Sequence, residues 1–289
     1  MRRRIGLRGF MAIALFTAVS LNCERGLADG IWKTLPPTPT LPRPERSGYA
    51  PVNGIQMWYA EFGAGPPVLL LHGGLVNSNW WGNQVPFLVS HHFMVIVTDS
   101  RGHGRSTRTS APYSYDLMAS DVVALLDYLK LKRVALVGWS DGGIIGLDIA
   151  IHHPERLDRL FAFGANTDPA GLEANFDQNP VFAAAIKRGG PEYRKLSRTP
   201  DQYDAFVQQI SRMWATQPHF TDKQLASITT PTTIADGEYD EAIKQSHDRY
   251  MAHAIPNAKL VILPNVSHFA MLQNSAEFNS AMLTALTAK

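Results

Sequence analysis

Short apolar runs recur along the chain and are separated by stretches with helical spacing. Val68–Leu71, Phe93–Val97, Val134–Val137, Leu157–Phe163, Thr232–Ala235 and Lys259–Leu263 are rich in β-branched or aliphatic residues, as expected of strands buried on both faces. Ile55–Phe62 alternates apolar and polar positions instead, and a turn through Gly63 and Gly65 predicts that it forms a hairpin with Val68–Leu71. Between the apolar runs, Leu117, Val122, Leu125, Leu126 and Leu129 fall on one face of a helix over Asp116–Leu129. Trp80–Leu88 reads as a shorter helix, and an amphipathic one closes the chain near Ala288. Strand, helix, strand in this rhythm predicts an α/β fold with a mostly parallel sheet, helices on both faces and right-handed crossovers. The rhythm breaks over residues 165–220, where helical pieces such as Asp201–Trp214 follow one another with no buried strand between them. An insertion of this kind predicts a helical cap over the strand ends. One or two of its aromatics, Phe176, Phe182, Tyr193, Tyr203, Phe206 and Trp214, are expected to face an acyl-sized pocket.

Length and charge narrow the picture at the N-terminus. The 289 residues suit a single large core, with no internal repeat. Arg2, Arg3, Arg4 and Arg8 precede an apolar run from Phe10 to Leu21, and small residues follow at Gly26 and Ala28. Residues 1–28 therefore read as a secretory signal peptide, and the mature chain is expected in the periplasm or outside the cell. The apolar run is too short for a stable membrane span. Without the leader, which holds five arginines and one glutamate, the formal charge changes from +2 to −2. Nothing basic enough remains to predict nucleic-acid binding. The single cysteine, Cys23, also leaves, which excludes a thiol nucleophile or a disulfide in the mature chain. Residues 29–51 carry Pro36, Pro37, Pro39, Pro42, Pro44 and Pro51 and read as an extended tether, with the folded domain over 52–289.

Candidate chemistry gathers where strands end. After Val134–Val137 comes Gly138-Trp139-Ser140-Asp141-Gly142, a GxSxG turn from buried strand into helix. Such a turn holds the serine in a strained conformation at a helix N-terminus, where free backbone N–H groups favour developing negative charge. Ser140 is the candidate nucleophile, and the N–H of Asp141 a candidate oxyanion donor. Following Val68–Leu71, His72-Gly73-Gly74 can turn a second donor toward the same place, with His72 itself expected to be structural. A serine hydroxyl needs a base, and the base needs an orienting carboxylate. His268 and Asp240 both follow apolar strands and emerge at the sheet edge that carries Ser140. Asp240 is preferred over Asp236, Glu238, Glu241 and Asp168 because it lies three residues past Gly237, in a turn that lets it point back. In Thr98–Ser106, Asp99 and Arg101 are expected to pair as scaffolding. No HExxH and no dinucleotide fingerprint occur, so neither metal nor cofactor is expected.

His72-Gly73-Gly74, DSRGHGRS (Asp99–Ser106), GWSDGG (Gly138–Gly143), GEYD (Gly237–Asp240) and SHF (Ser267–Phe269), in this order, resemble the α/β-hydrolase fold family in its capped, esterase-like branch. The resemblance spans Ile55 to the C-terminus. It implies Ser140 as nucleophile, His268 as general base and acid, Asp240 as its partner, and the N–H groups of Gly74 and Asp141 as the oxyanion hole. Serine at the elbow departs from the aspartate of haloalkane dehalogenases and epoxide hydrolases. The expected reaction is cleavage of a small-molecule carboxylic ester, thioester or lactone through an acyl-enzyme. The alternatives are a carbon–carbon bond hydrolase acting on a dienoate, a perhydrolase, or a slow-turnover ligand-binding protein.

Overall fold

A computed structural model describes residues 30–288, so the signal-peptide reading of residues 1–28 lies outside the described residues. Among the described residues eight strands form one sheet in the order β1-β2-β4-β3-β5-β6-β7-β8. They are β1 (Arg46–Val52), β2 (Ile55–Phe62), β3 (Pro67–Leu71), β4 (Met94–Thr98), β5 (Val134–Trp139), β6 (Leu157–Phe163), β7 (Thr232–Gly237) and β8 (Lys259–Leu263). All pairs from β4 to β8 are parallel, while β2 runs antiparallel to β1 and β4. The helices are α1 (Gln84–Ser90), α2 (Tyr115–Tyr128), α3 (Asp141–His152), α4 (Pro180–Leu196), α5 (Tyr203–Thr216), α6 (Asp222–Ala226), α7 (Gln245–Ala254), α8 (Ala270–Gln273) and α9 (Ser275–Thr287). Alternation along each strand builds two cores. Leu69, Leu71, Ile96 and Leu136 face the layer of α2, α3 and α7, while Val68, Leu70, Val95 and Val137 face α1 and α9. Between β6 and β7 the chain leaves the sheet and forms α4, α5 and α6. Among the described residues no helix is long and apolar enough to cross a membrane.

Two expectations for the N-terminal part are corrected. Ile55–Phe62 does not pair with Val68–Leu71. It pairs with β1, in the register Val52↔Ile55. The turn between them is Asn53-Gly54, both with positive φ (42° and 77°), as a two-residue turn matching the twist of a hairpin requires. The tether is likewise shorter than its prolines imply, because residues 46–51 belong to this edge strand. Pro51 is tolerated there since an edge position needs no N–H on its open side. The proline-rich segment before it is also held to the body of the protein. Arg188 on α4 donates to the carbonyls of Leu35 (2.8 Å) and Pro36, and Gln273 donates to the carbonyl of Thr34 at 2.9 Å. Extended backbone cannot satisfy its own carbonyls, so these distant side chains do it instead.

Arg101 does not pair with Asp99. Its guanidinium grips Asp121 on α2 through two bonds of 2.7 and 2.6 Å, with both side chains buried. Asp99 instead meets Arg105 at 2.8 Å. Removing one partner of a buried ion pair strands the other charge away from water. Asp121→Ala is expected to lower the unfolding free energy by about 3–5 kcal/mol, read as a fall in the urea midpoint at unchanged slope. A loss under about 1 kcal/mol would show that water reaches the arginine.

Candidate active site

β5 delivers Ser140 into a turn that only a narrow choice of neighbours permits. Ser140 has φ 55° and ψ −121°, a conformation costly for a residue with a side chain and held only when its surroundings over-determine it. They do so through close backbone approach. A Cβ on Gly138 would lie 2.2 Å from the carbonyl oxygen of Gly142, and one on Gly142 would lie 2.1 Å from that of Leu71. Both glycines of GxSxG are thus fixed by packing between β5, β3 and the start of α3. The Ser140 amide donates to the carbonyl of Phe163 on the neighbouring strand at 2.8 Å. Asp141 is the first residue of α3, so its amide has no carbonyl one turn earlier to bond.

The loop after β3 carries Gly74 beside this turn and is held by two buried imidazoles. His72 accepts from the Ser100 amide at 3.0 Å through Nε2 and donates from Nδ1 to the Gly73 carbonyl at 2.7 Å. His103 accepts from the Leu75 amide at 3.1 Å and donates to the Arg101 carbonyl at 2.9 Å. Burial pushes both imidazoles down, His103 to about 3, so each stays neutral and keeps one donor and one acceptor. Asp99 accepts from the Ser78 amide at 2.9 Å and from its hydroxyl at 2.6 Å. The GHG segment is therefore scaffolding for the loop that carries Gly74.

β7 and β8 bring the other two residues together. His268 Nδ1 lies 2.6 Å from Asp240 Oδ2, and both side chains are buried. The second oxygen of Asp240 accepts from the amides of Ala242 (2.6 Å) and Ile243 (2.8 Å). Burial alone would raise Asp240, but the His268 charge and these hydrogen bonds hold it below the usual carboxylate range. For His268 burial acts downward, and the charge of Asp240 and its hydrogen bond overcome it, so the imidazole lies above its ordinary value. His268 and Ser140 line one cavity with Gly73, Gly74, Trp139 and Phe182.

Of the rival acids, Asp236 is fully buried beside Asp240, with its Oδ1 accepting from the Gly237 amide at 2.7 Å. Burial and the charges of Asp240 and Asp248 push Asp236 well up, and burial carries Asp248 to about 7 and Glu241 to about 7. Several carboxylates around one imidazole cannot all ionise in a dry site. Asp240, with two amide donors and the imidazole, keeps the charge. Glu241 accepts from the His268 amide at 3.2 Å, and Glu238 from the Asn265 amide at 2.9 Å. Asp168 lies elsewhere, capping a short turn and meeting His219 at 2.7 Å.

Two contacts at the site carry no local signal in the sequence. Tyr115 Oη at 2.9 Å and Trp214 Nε1 at 2.8 Å both donate to Oδ1 of Asp141, whose other oxygen is buried without a partner among the described residues. Burial pushes Asp141 up to about 6 despite these donors. Of the cap aromatics, Phe176, Phe182 and Trp214 border the space around Ser140, while Phe206 and Tyr193 stack on each other at 5.2 Å within the cap.

Residues 66–188 match the model of a family described as having the alpha/beta hydrolase fold. The chain is 30% identical over 250 residues to 3-oxoadipate enol-lactonase 2 of Acinetobacter baylyi, covering 79% of this chain and 92% of that protein. It is 28% identical over 246 residues to serine hydrolase BPHL of Homo sapiens, covering 79% and 82%. Among solved structures it resembles a hydrolase of Pseudomonas aeruginosa PA01, with a TM-score of 0.68 and 26% identity over 84% of this chain and 99% of that one.

Proposed function

The chain belongs to the α/β-hydrolase fold family and is a hydrolase, and from that premise we propose that it is an exported serine hydrolase cleaving a carboxylic ester, thioester or lactone. Ser140 attacks the carbonyl carbon while His268 Nε2 takes its proton. The oxyanion is received by the amides of Gly74 and Asp141, each donor contributing roughly 3 kcal/mol. His268 then protonates the leaving alcohol, and water repeats the cycle on the acyl-enzyme. Asp240 keeps Nδ1 protonated, which leaves Nε2 free to accept. The observation that carries this reading is the 2.6 Å contact between His268 and Asp240 behind a cavity that Ser140 also lines. Export rests on the leader-like sequence of residues 1–28.

The lining also favours one substrate class. Among the described residues no lysine or arginine borders the two cavities at Ser140, and the acidic Asp141 borders one of them. The outer vestibule is bordered by Glu173 and Asp177, again with no basic residue. A carboxylate on the substrate would find no counter-charge. This supports uncharged esters over a dienoate for carbon–carbon cleavage. Nitrophenyl acetate and a ring-cleavage dienoate, assayed side by side, test it: the ester is expected to turn over and the dienoate not, and the reverse result would overturn the ester reading.

The pH dependence follows from the sign of the His268 shift. The base acts only when neutral, so kcat/KM rises with pH through the pKa of the free enzyme and then levels off. Because Asp240 stabilises the imidazolium, the midpoint of the acid limb is expected above the ordinary histidine value of 6.5. A profile that is flat from about pH 5 to 8 would remove His268 from the role of base.

A further inference from the structure

Among the described residues Trp214 is the one cap side chain that borders each of three spaces around the site. Two of them are narrow cavities at Ser140 of about 20 Å³ each, room for roughly one water apiece. The third is an outer vestibule of about 530 Å³, the size of an ordinary ligand pocket. The vestibule shares Leu75 and Ile186 with one inner cavity, and Leu172 and Phe176 with the other. Trp214 is common to the lining on both sides of each junction.

We propose that Trp214 is a specificity-determining partition that confines the acyl group to a short chain, an inference that rests on the ester hydrolysis proposed above. Its position is fixed from below and from the sides. Nε1 donates to Asp141 Oδ1 at 2.8 Å, directly after Ser140 in the chain. The six-membered ring lies against Gly74, where a Cβ would come within 2.4 Å of Cζ2. Phe176 and Phe182 brace it edge-on, with centroids 6.0 and 6.4 Å away. The indole therefore touches both residues whose amides would receive the oxyanion, and it ends the space in which the acyl chain of a bound ester would extend. An acetyl group needs little more than the inner cavities offer. A longer chain must pass through the volume the indole occupies.

Removing the indole joins the inner cavities to the vestibule. The experiment uses the protein with nitrophenyl acetate, butyrate and octanoate, comparing wild type, Trp214→Ala, Trp214→Leu and Trp214→Phe, with thermal melts to confirm folding. In wild type kcat/KM is expected to fall at least about tenfold from acetate to octanoate. In Trp214→Ala and Trp214→Leu the octanoate-to-acetate ratio is expected to rise by at least about tenfold, since a hydrophobic pocket discriminates chain steps by factors of this order. Trp214→Phe keeps a ring but loses the N–H and is expected to retain the short-chain preference, which assigns the effect to bulk. An unchanged ratio in a folded Ala or Leu variant overturns the partition; should the alanine variant fail to fold, the leucine variant decides. A wild type inactive on every ester overturns the ester reading itself, whereas an active wild type with an unmoved ratio overturns only the role of Trp214.

Discussion

Ser140→Ala is expected to lower kcat on nitrophenyl acetate by about 10⁶-fold while leaving a folded protein. Loss of the nucleophile alone costs about as much as loss of the whole catalytic set in enzymes of this mechanism, because the members act as one unit. What remains is the residual rate from oxyanion donors and binding, and both amide donors survive the substitution. Alanine retains the Cβ, so the turn at φ 55° keeps the strain it already carries, and the packing of Gly138 and Gly142 around it is untouched. Stability should change by no more than about 0.5 kcal/mol. A burst of nitrophenol equal to the enzyme concentration should be present in wild type and absent in the variant. A variant keeping a hundredth of the activity would mean that the acyl group is never held on this oxygen.

The candidate site was largely legible in the sequence because each of its parts sits at the end of a short apolar run, and such runs are hard to mistake in a parallel sheet. Val134–Val137 leads to Ser140, Thr232–Ala235 toward Asp240 and Lys259–Leu263 toward His268, and the observed strands end within two residues of those runs. Less legible were contacts made across long separations. Asn53-Gly54 is a strong local turn signal, yet the prolines before it favour a spacer, and the edge strand Arg46–Val52 has no apolar run to mark it. Arg101 finds Asp121 twenty residues away rather than Asp99, two residues away, because α2 turns that carboxylate into the core. Nothing local marks Trp214 among the cap aromatics. Its contacts depend on how α5 brings it to Gly74 and Asp141, which periodicity does not encode.

Asp240→Asn is the sharper test of how the imidazole is used, and its expected cost is about 10⁴-fold in kcat. An asparagine fits the same turn, and its carbonyl can still accept from the amides of Ala242 and Ile243. Its NH₂ would then face His268 Nδ1 as a donor, which favours the tautomer with the proton on Nε2. In that tautomer the base cannot take the proton of Ser140. Loss of the carboxylate charge also removes the main force that raises His268 against burial, so the acid limb of kcat/KM is expected to move to lower pH than in wild type. Asp236 makes the outcome informative. It is pushed well up partly by the charge of Asp240, so it ionises more readily once that charge is gone. Some residual activity in Asp240→Asn should therefore disappear in the double variant Asp236→Asn/Asp240→Asn, while Asp236→Asn alone leaves the acid limb where it was, since a neutral acid contributes no charge to the imidazole. If Asp236→Asn alone proved the more damaging change, the partner of His268 would be Asp236, and the 2.6 Å contact would not be the working one.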